Sequence, residues 1–378
     1  MVSFIIWNGS PVVFSIGPFV LRWYILLFII AFVLGRQLLL YVYKKEGKSA
    51  TEVETLAKYI FISAIIGARF GYVVFYEPQL IWTKPLEIFL PIQLQPSFRF
   101  TGMEKLSGYG ALLGIAISIG IYCFRKKSKQ NYLQVLDRVL IIVALAGFFT
   151  GLGNFFNAEI PGKPTDSKSG VVFTRPVTDG VTKIPCCIMR NPGGRNPLDK
   201  VSVKKDTALT SKEAGHSPLL LYLFYEAGAT EQLVKEFLIG DVKTFLYDNS
   251  QTVVEPGDEP LHYTIFQEKD DLFTARVRTT GIARHPTQLY ESALYLAVFV
   301  ILFFIWKSGS GNIRDGSLTG IFFCLTAAMT FAVGYLKESQ VNFENGMALN
   351  VTQILSIPLF LLGLVLLAMT FRKTALKA

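Results

Sequence analysis

The chain has 378 residues, 51% of them hydrophobic and only 17% charged, with 31 Phe and 16 Tyr. A mean hydropathy of +0.41 excludes an ordinary soluble domain and indicates a polytopic membrane protein. The net charge of +9 does not indicate nucleic acid, because the basic residues form short clusters between apolar runs, where they determine topology.

Seven stretches are apolar enough to cross a bilayer, which takes about 20 helical residues: approximately 18–41, 56–76, 107–124 (the short one), 133–156, 287–306, 317–337 and 350–371. Basic clusters follow the first (Lys44, Lys45, Lys48), third (Arg125, Lys126, Lys127, Lys129), fifth (Lys307, Arg314) and seventh (Arg372, Lys373, Lys377). All fall on one side if the N-terminus is outside and the C-terminus inside. No small-residue cleavage site follows the first apolar run, so no cleavable signal is expected. The expected fold is an all-α polytopic membrane protein with seven transmembrane helices, N-out/C-in, and an inserted small α/β extracytoplasmic head. Residues 1–161 then carry the first four helices with an outside loop at 77–106, 162–283 form the head, and 284–378 carry the last three helices.

Within the head, Pro218–Gly240 reads as a helix with Ser217 as its N-cap. His262-Tyr-Thr-Ile-Phe and Leu272-Phe-Thr-Ala-Arg-Val read as a strand pair, and Asn191-Pro-Gly-Gly-Arg-Asn-Pro as a turn or exposed loop. Cys123 and Cys324 lie in apolar runs and read as packing residues. Cys186 and Cys187 are adjacent, a strained arrangement for a mutual bridge, so free thiols or one bridge elsewhere are expected. Three histidines without ligand spacing indicate no metal site.

Polar residues at membrane depth carry the functional signal. The fourth stretch ends in Gly151-Leu-Gly-Asn-Phe-Phe-Asn-Ala-Glu-Ile-Pro-Gly162. If the helix persists, Asn154, Asn157 and Glu159 point into one cavity; alternatively they cap a helix end and meet headgroups. Arg69 lies inside the second stretch, between Gly67, Ala68 and Gly71. A cation there costs at least about 2.5 kcal/mol, so it is expected to face the bundle interior, a wet cavity or a phosphate, against the alternative of snorkelling to the interface. The small neighbours allow close helix approach or room for a ligand. Arg284-His-Pro-Thr-Gln-Leu-Tyr-Glu291 opens the fifth stretch with groups suited to a phosphate headgroup.

Together, Phe14-Ser-Ile-Gly-Pro…Arg22-Trp-Tyr24, Gly67-Ala-Arg-Phe-Gly-Tyr72, Gly153-Asn-Phe-Phe-Asn-Ala-Glu-Ile-Pro-Gly162, Arg284-His-Pro-Thr-Gln-Leu-Tyr-Glu291 and Gln353-Ile-Leu-Ser-Ile-Pro358 resemble, in order, the bacterial prolipoprotein diacylglyceryl transferases. The resemblance covers nearly all of the chain except about 165–280, which is longer than the family's usual head. It implies an inner-membrane protein that moves the diacylglyceryl group of phosphatidylglycerol to a lipobox cysteine thiol and releases glycerol phosphate, without cofactor or metal. By resemblance, Tyr24, Asn154, Glu159 and Arg284 stand at catalytic positions, and Arg69, Asn154, Asn157, Gly162, Arg284 and Glu291 at phospholipid-binding positions. The implied partners are a phosphatidylglycerol-like anionic phospholipid and a lipoprotein precursor or membrane protein complex met through the head.

The chain also departs from the family. Tyr109 replaces a histidine, Gly151 an arginine, and Thr330 and Gly334 an arginine and a glutamate. Losing the one group with a near-neutral pKa, two cations and a carboxylate argues for an impaired or inactive paralogue acting as an accessory or scaffold subunit. The alternative is an active transferase with a rearranged acid–base set.

Overall fold

The computed structural model describes residues 4–16, 19–83, 92–93, 99–100, 107–125, 130–184, 196–209, 213–249, 251–268, 272–309, 313–339, 344 and 346–375. The loop 191–195, the paired thiols of Cys186 and Cys187, and the basic residues 126–129 lie outside them. The described chain forms two compact units: Met1–Leu27 with Thr150–Ser292 and Ala332–Val351, and Phe28–Phe149 with Ala293–Phe331 and Thr352–Ala378.

The helices in chain order are α1 (Trp23–Lys45), α2 (Ala50–Tyr76), α3 (Leu80–Thr83), α4 (Gly108–Phe124), α5 (Tyr132–Phe156), α6 (Arg175–Val181), α7 (Glu231–Phe237), α8 (Lys243–Asp248), α9 (Thr287–Ser308), α10 (Ser317–Gly334) and α11 (Val351–Ala375). Six of them (α1, α2, α5, α9, α10 and α11) are long and apolar enough to cross a membrane. The seventh expected span, α4, is a shorter apolar helix of 17 residues, at the lower end of the length a bilayer crossing takes.

In the second unit, α2 and α4 meet backbone to backbone. Gly67, Gly71, Gly110 and Gly114 line the crossing, and a Cβ at Gly71 would stand 2.6 Å from Gly110 Cα. Two glycines spaced four apart on each helix let the axes close where no side chain fits. Ser63 Oγ adds a 3.0 Å hydrogen bond to Ser118 Oγ. Thus close helix approach, rather than room for a ligand, explains Gly67 and Gly71. A buried ionic group ties the helix ends of this unit. Asp137 accepts from Gly316 N (2.8 Å), Thr319 N (2.7 Å) and Thr319 Oγ1 (2.6 Å), capping the first turn of α10 with a carboxylate. Arg138, 1% exposed, pairs with Glu46 at 2.8 Å, which also accepts from Trp306 Nε1 at 2.9 Å. Burial raises the pKa of Glu46, but the bonds from Trp306 and Lys48 and the nearby Arg138 charge outweigh it and hold the carboxyl below its ordinary value.

Strands in chain order are β1 (Ile5–Trp7), β2 (Val12–Ile16), β3 (Phe19–Arg22), β4 (Ile92–Gln93), β5 (Arg99–Phe100), β6 (Val171–Phe173), β7 (Leu198–Lys205), β8 (His216–Tyr225), β9 (Val253–Val254), β10 (Tyr263–Gln267) and β11 (Phe273–Ile282). In the first unit β1 runs parallel to β6, and an antiparallel sheet has the order β10-β11-β8-β7, with β9 paired to β11. The expected strand pair is present as β10 and β11, Ile265 opposite Ala275. The expected helix at Pro218–Gly240 is a correction: its first half is β8. Ser217, Leu219, Leu221, Leu223 and Tyr225 alternate as the buried face. The run misled because both faces carry apolar residues, and a continuous apolar run does not distinguish strand from helix. A helix follows only after Gly228, at φ +90°, where Thr230 Oγ1 caps α7 by accepting from Leu233 N at 3.2 Å. The core beneath the sheet joins Phe4, Val172, Leu219, Leu221, Leu223, Phe237 and Val277. The N-terminal segment therefore shares the core of the inserted sheet.

Candidate functional site

The polar end of α5 belongs to the first unit. The helix stops at Phe156 and the chain turns through Ala158 and Ile160, whose φ angles are +52° and +54°. Positive φ at a β-branched residue is strained and persists only where the surroundings over-determine it. Those surroundings are visible. Gln288 Nε2 donates to Glu159 O (2.5 Å), Thr287 Oγ1 to Ile160 O (3.1 Å), and Glu159 N to Asn154 O (3.0 Å). Arg175 donates through Nη1 to Asn157 O (2.6 Å) and Phe156 O (3.4 Å), and through Nε to Asp179 (3.0 Å). A guanidinium on the carbonyls that end a helix is favoured by its dipole. The motif residues thus gather on a pinned turn, not along a continued helix.

On that turn Asn157 Nδ2 donates to Glu159 Oε1 at 3.4 Å. Glu159 is exposed as a residue, yet partial desolvation of its carboxyl raises its pKa, partly offset by Arg175, Asn157 and Arg22. Tyr24 feels the Glu159 charge and lies against Gly153, where a Cβ would stand 2.9 Å from Tyr24 Cδ2. Trp23 stacks on Phe156 with centroids 4.6 Å apart. Two buried acceptors, Asn157 Oδ1 and Gln288 Oε1, have no hydrogen-bond partner among the described residues. Buried acceptors are rarely left unmet, and these two suit hydroxyl or amide donors from a ligand.

Arg284 anchors the other wall. Its Nε donates to Gln251 O (2.7 Å), and its Nη1 to Gly162 O (3.0 Å) and Glu338 Oε2 (2.6 Å). Its backbone exchanges hydrogen bonds with Val171 at 2.9 Å in each direction. Two of the three guanidinium nitrogens are committed to protein; Nη2 makes no hydrogen bond among the described residues. Arg284 and Glu338 line a cavity of about 370 Å³ with Ile160, Pro161, Phe173 and Gln251. Gly162 is required where it stands, because a Cβ would lie 2.6 Å from Leu336 O and 2.7 Å from His285 Cβ. Glu291 pairs with Lys337 at 2.7 Å. His285 Nδ1 lies 3.4 Å from Tyr290 Oη, and burial lowers its imidazole pKa.

Tyr24, Gly151, Asn154, Asn157, Glu159, Gly162, Arg284, Glu291 and Gly334 fall in the first unit; Arg69, Tyr109 and Thr330 fall in the second. Arg69 is half-buried on α2 and Tyr109 exposed on the first turn of α4. Sequence reasoning missed Arg175, Lys337 and Glu338 as members of this constellation. The last two carried a signal, a charge pair just beyond an apolar stretch; Arg175 carried none, since it lies in the inserted segment. Gly151 is filled space: a Cβ there would stand 2.8 Å from Ser292 Cβ and 2.9 Å from Gln288 O.

The sequence matches the family model described as prolipoprotein diacylglyceryl transferase over residues 11–369. It is 27% identical to the phosphatidylglycerol–prolipoprotein diacylglyceryl transferase of Bacteroides fragilis over 375 residues, 98% of this chain and 97% of that one. The enzyme of the same name from Tolumonas auensis is 26% identical over 369 residues, 98% of each chain. The Rickettsia typhi enzyme is 32% identical over 168 residues, 44% of this chain but 60% of that shorter one. Near-complete coverage in the first two means that the long middle segment has a counterpart of similar length in relatives. With a match that runs across both units, the chain belongs to the prolipoprotein diacylglyceryl transferase family and is a multi-pass protein of the bacterial inner membrane.

Proposed function

We propose that this protein is an active transferase that moves the diacylglyceryl group of phosphatidylglycerol to the lipobox cysteine thiol of preprolipoproteins. The observation that carries the reading is the pinned turn of Asn157 and Glu159, with its two unmet buried acceptors, in a family whose full-length relatives bear that activity in their names. This coverage favours activity over the impaired-paralogue expectation. One of the four departures also has a physical counterpart: side-chain space at Gly151 is occupied by Ser292 and Gln288.

On this reading the head 162–283, between the membrane parts 1–161 and 284–378, faces outward with the N-terminus and receives the precursor. Asn157 Oδ1 and Gln288 Oε1 accept from the glycerol hydroxyls, and the Arg284 nitrogen left uncommitted meets the phosphate. Asn154, Gly162 and Glu291 complete the lipid-binding set of this unit, and Arg69 keeps its lipid-binding role by resemblance alone. The thiol proton passes to the Glu159 carboxylate, whose raised pKa makes it a better acceptor than an ordinary one, with Tyr24 beside it. Sulfur then attacks the diacylglycerol carbon bound to the phosphate oxygen. The S–C bond forms, the C–O bond breaks, and glycerol phosphate leaves with the electron pair, stabilised by the cations.

The test is expression of this protein alone in cells depleted of their own transferase, with mass spectrometry of a lipobox substrate. The expected result is a diacylglyceryl mass increase on the cysteine peptide. Its absence, with the protein folded and in the membrane, overturns the reading in favour of the impaired paralogue.

A further inference from the structure

A second polar constellation, in the other unit, includes none of the motif residues of the transfer reaction. Phe32 and Arg36 on α1, with Glu54, Lys58, Phe61 and Ile62 on α2, line a cavity of about 260 Å³. Phe32 and Phe61 form one wall, ring centroids 4.6 Å apart. Arg36 is ion-paired with Glu54. Lys58 is exposed and has neither hydrogen bond nor ion pair among the described residues. The two cations face one carboxylate, which leaves one positive charge uncompensated.

Depth decides what answers that charge. At 1.5 Å per residue, Lys58 lies about 12 Å from the first residue of α2. Arg36 lies about 13 Å before the last residue of α1, so both are inside candidate spans. Ile62 at the rim is 56% exposed, and Val33 and Ile29 on the same helical stretch of α1 are also exposed, a surface that meets acyl chains. A cation at that level reaches toward the headgroups and is best met by an anion already there.

We propose that this groove binds one phosphodiester lipid monoanion, of phosphatidylglycerol type, as a bound lipid separate from the substrate. Its phosphate sits between Lys58 and Arg36, and one acyl chain runs along Phe32, Phe61 and Ile62. On the N-out orientation of the proposed function, this is the cytoplasmic leaflet, where Lys44, Lys45 and Lys48 add attraction for anionic lipid.

The experiment is native mass spectrometry of the full chain in detergent, titrated with phosphatidylglycerol, phosphatidylethanolamine or soluble glycerol phosphate. The readout is the second lipid adduct, since the substrate site contributes its own. Lys58→Gln removes the charge and leaves the Arg36–Glu54 pair; Ile62→Trp fills the groove and leaves the charge. Each variant is expected to weaken the second phosphatidylglycerol adduct about tenfold while its detergent melting temperature and transfer activity hold. Phosphatidylethanolamine does not replace the adduct and millimolar glycerol phosphate does not displace it. A phosphatidylglycerol with a photoactivatable acyl chain is expected to label the peptide of Phe61 and Ile62, whether or not the protein proves active. Unchanged adducts in both variants, equal retention of phosphatidylethanolamine, displacement by glycerol phosphate, or labelling confined to other peptides overturns the proposal.

Discussion

The two units solve the same problem, burying a polypeptide backbone, with different currencies of contact. The first unit alternates: in β8 every second residue is buried and those between are half-buried. The second unit does not alternate. Ile62, Leu113, Ile117 and Phe304 are all more than half exposed, as suits helices whose outward faces meet lipid. In β8 it is burial, not residue type, that tells the two faces apart, since Leu220, Tyr222 and Phe224 on the half-buried face are as apolar as the buried ones. Where lipid is as apolar as leucine, packing has to come from close backbone approach and from buried polar bonds. The glycines of α2 and α4 and the Asp137 cap supply both.

The most severe way to break that contrast is Gly110→Leu. The new side chain meets Gly67 and Gly71 backbone on the facing helix, which cannot rotate away, so we expect no monodisperse protein by size exclusion in detergent. The same exchange at Gly240, where a Cβ meets nothing within 4 Å, should leave the elution profile intact. Next comes Glu159→Gln, which tests the polar turn without touching any core. Loss of a proton acceptor is expected to lower transfer by about 10²–10⁴-fold, with melting unchanged. In the parent protein, activity should fall as pH drops through the raised pKa of Glu159, above the ordinary carboxylate value. A pH–rate profile unchanged by the substitution would remove Glu159 from this role.

Leu221→Ala probes the alternating unit. It deletes a fully buried side chain and should cost about 2–5 kcal/mol, read as a lower melting transition with hydrogen exchange rising in the sheet but not in α2 or α4. The smallest expected effect is at Glu255, a buried carboxyl on Thr279 Oγ1 at 3.0 Å. Burial raises its pKa, with Thr279 opposing. Its folded pKa exceeds the unfolded one, so its contribution is full below about pH 4.3 and lost as pH rises through the raised value. Glu255→Gln should therefore raise the melting temperature at pH 7 by roughly a degree or two and change nothing near pH 4. A rise that persists at acid pH would point to another cause.

Apolar runs were enough to place six candidate membrane helices to within about six residues, and motif order to assign the family. Each rests on composition within one short segment, which a linear reading samples directly. The strand pair of β10 and β11 was legible for the same reason, a local run of β-branched and aromatic residues. Only the fold decided that Pro218–Tyr225 is a strand, because its apolar run lacks a period until the sheet chooses which face to bury. Tertiary structure also decided that Gly67 and Gly71 serve helix contact, and that Gly151 faces Ser292 rather than empty space. It alone brought Arg175 to the carbonyls ending α5 and Glu338 to Arg284. Those pairings join residues remote in sequence, where no spacing or periodicity connects them, and a buried charge chooses its partner only when the chain has closed around it.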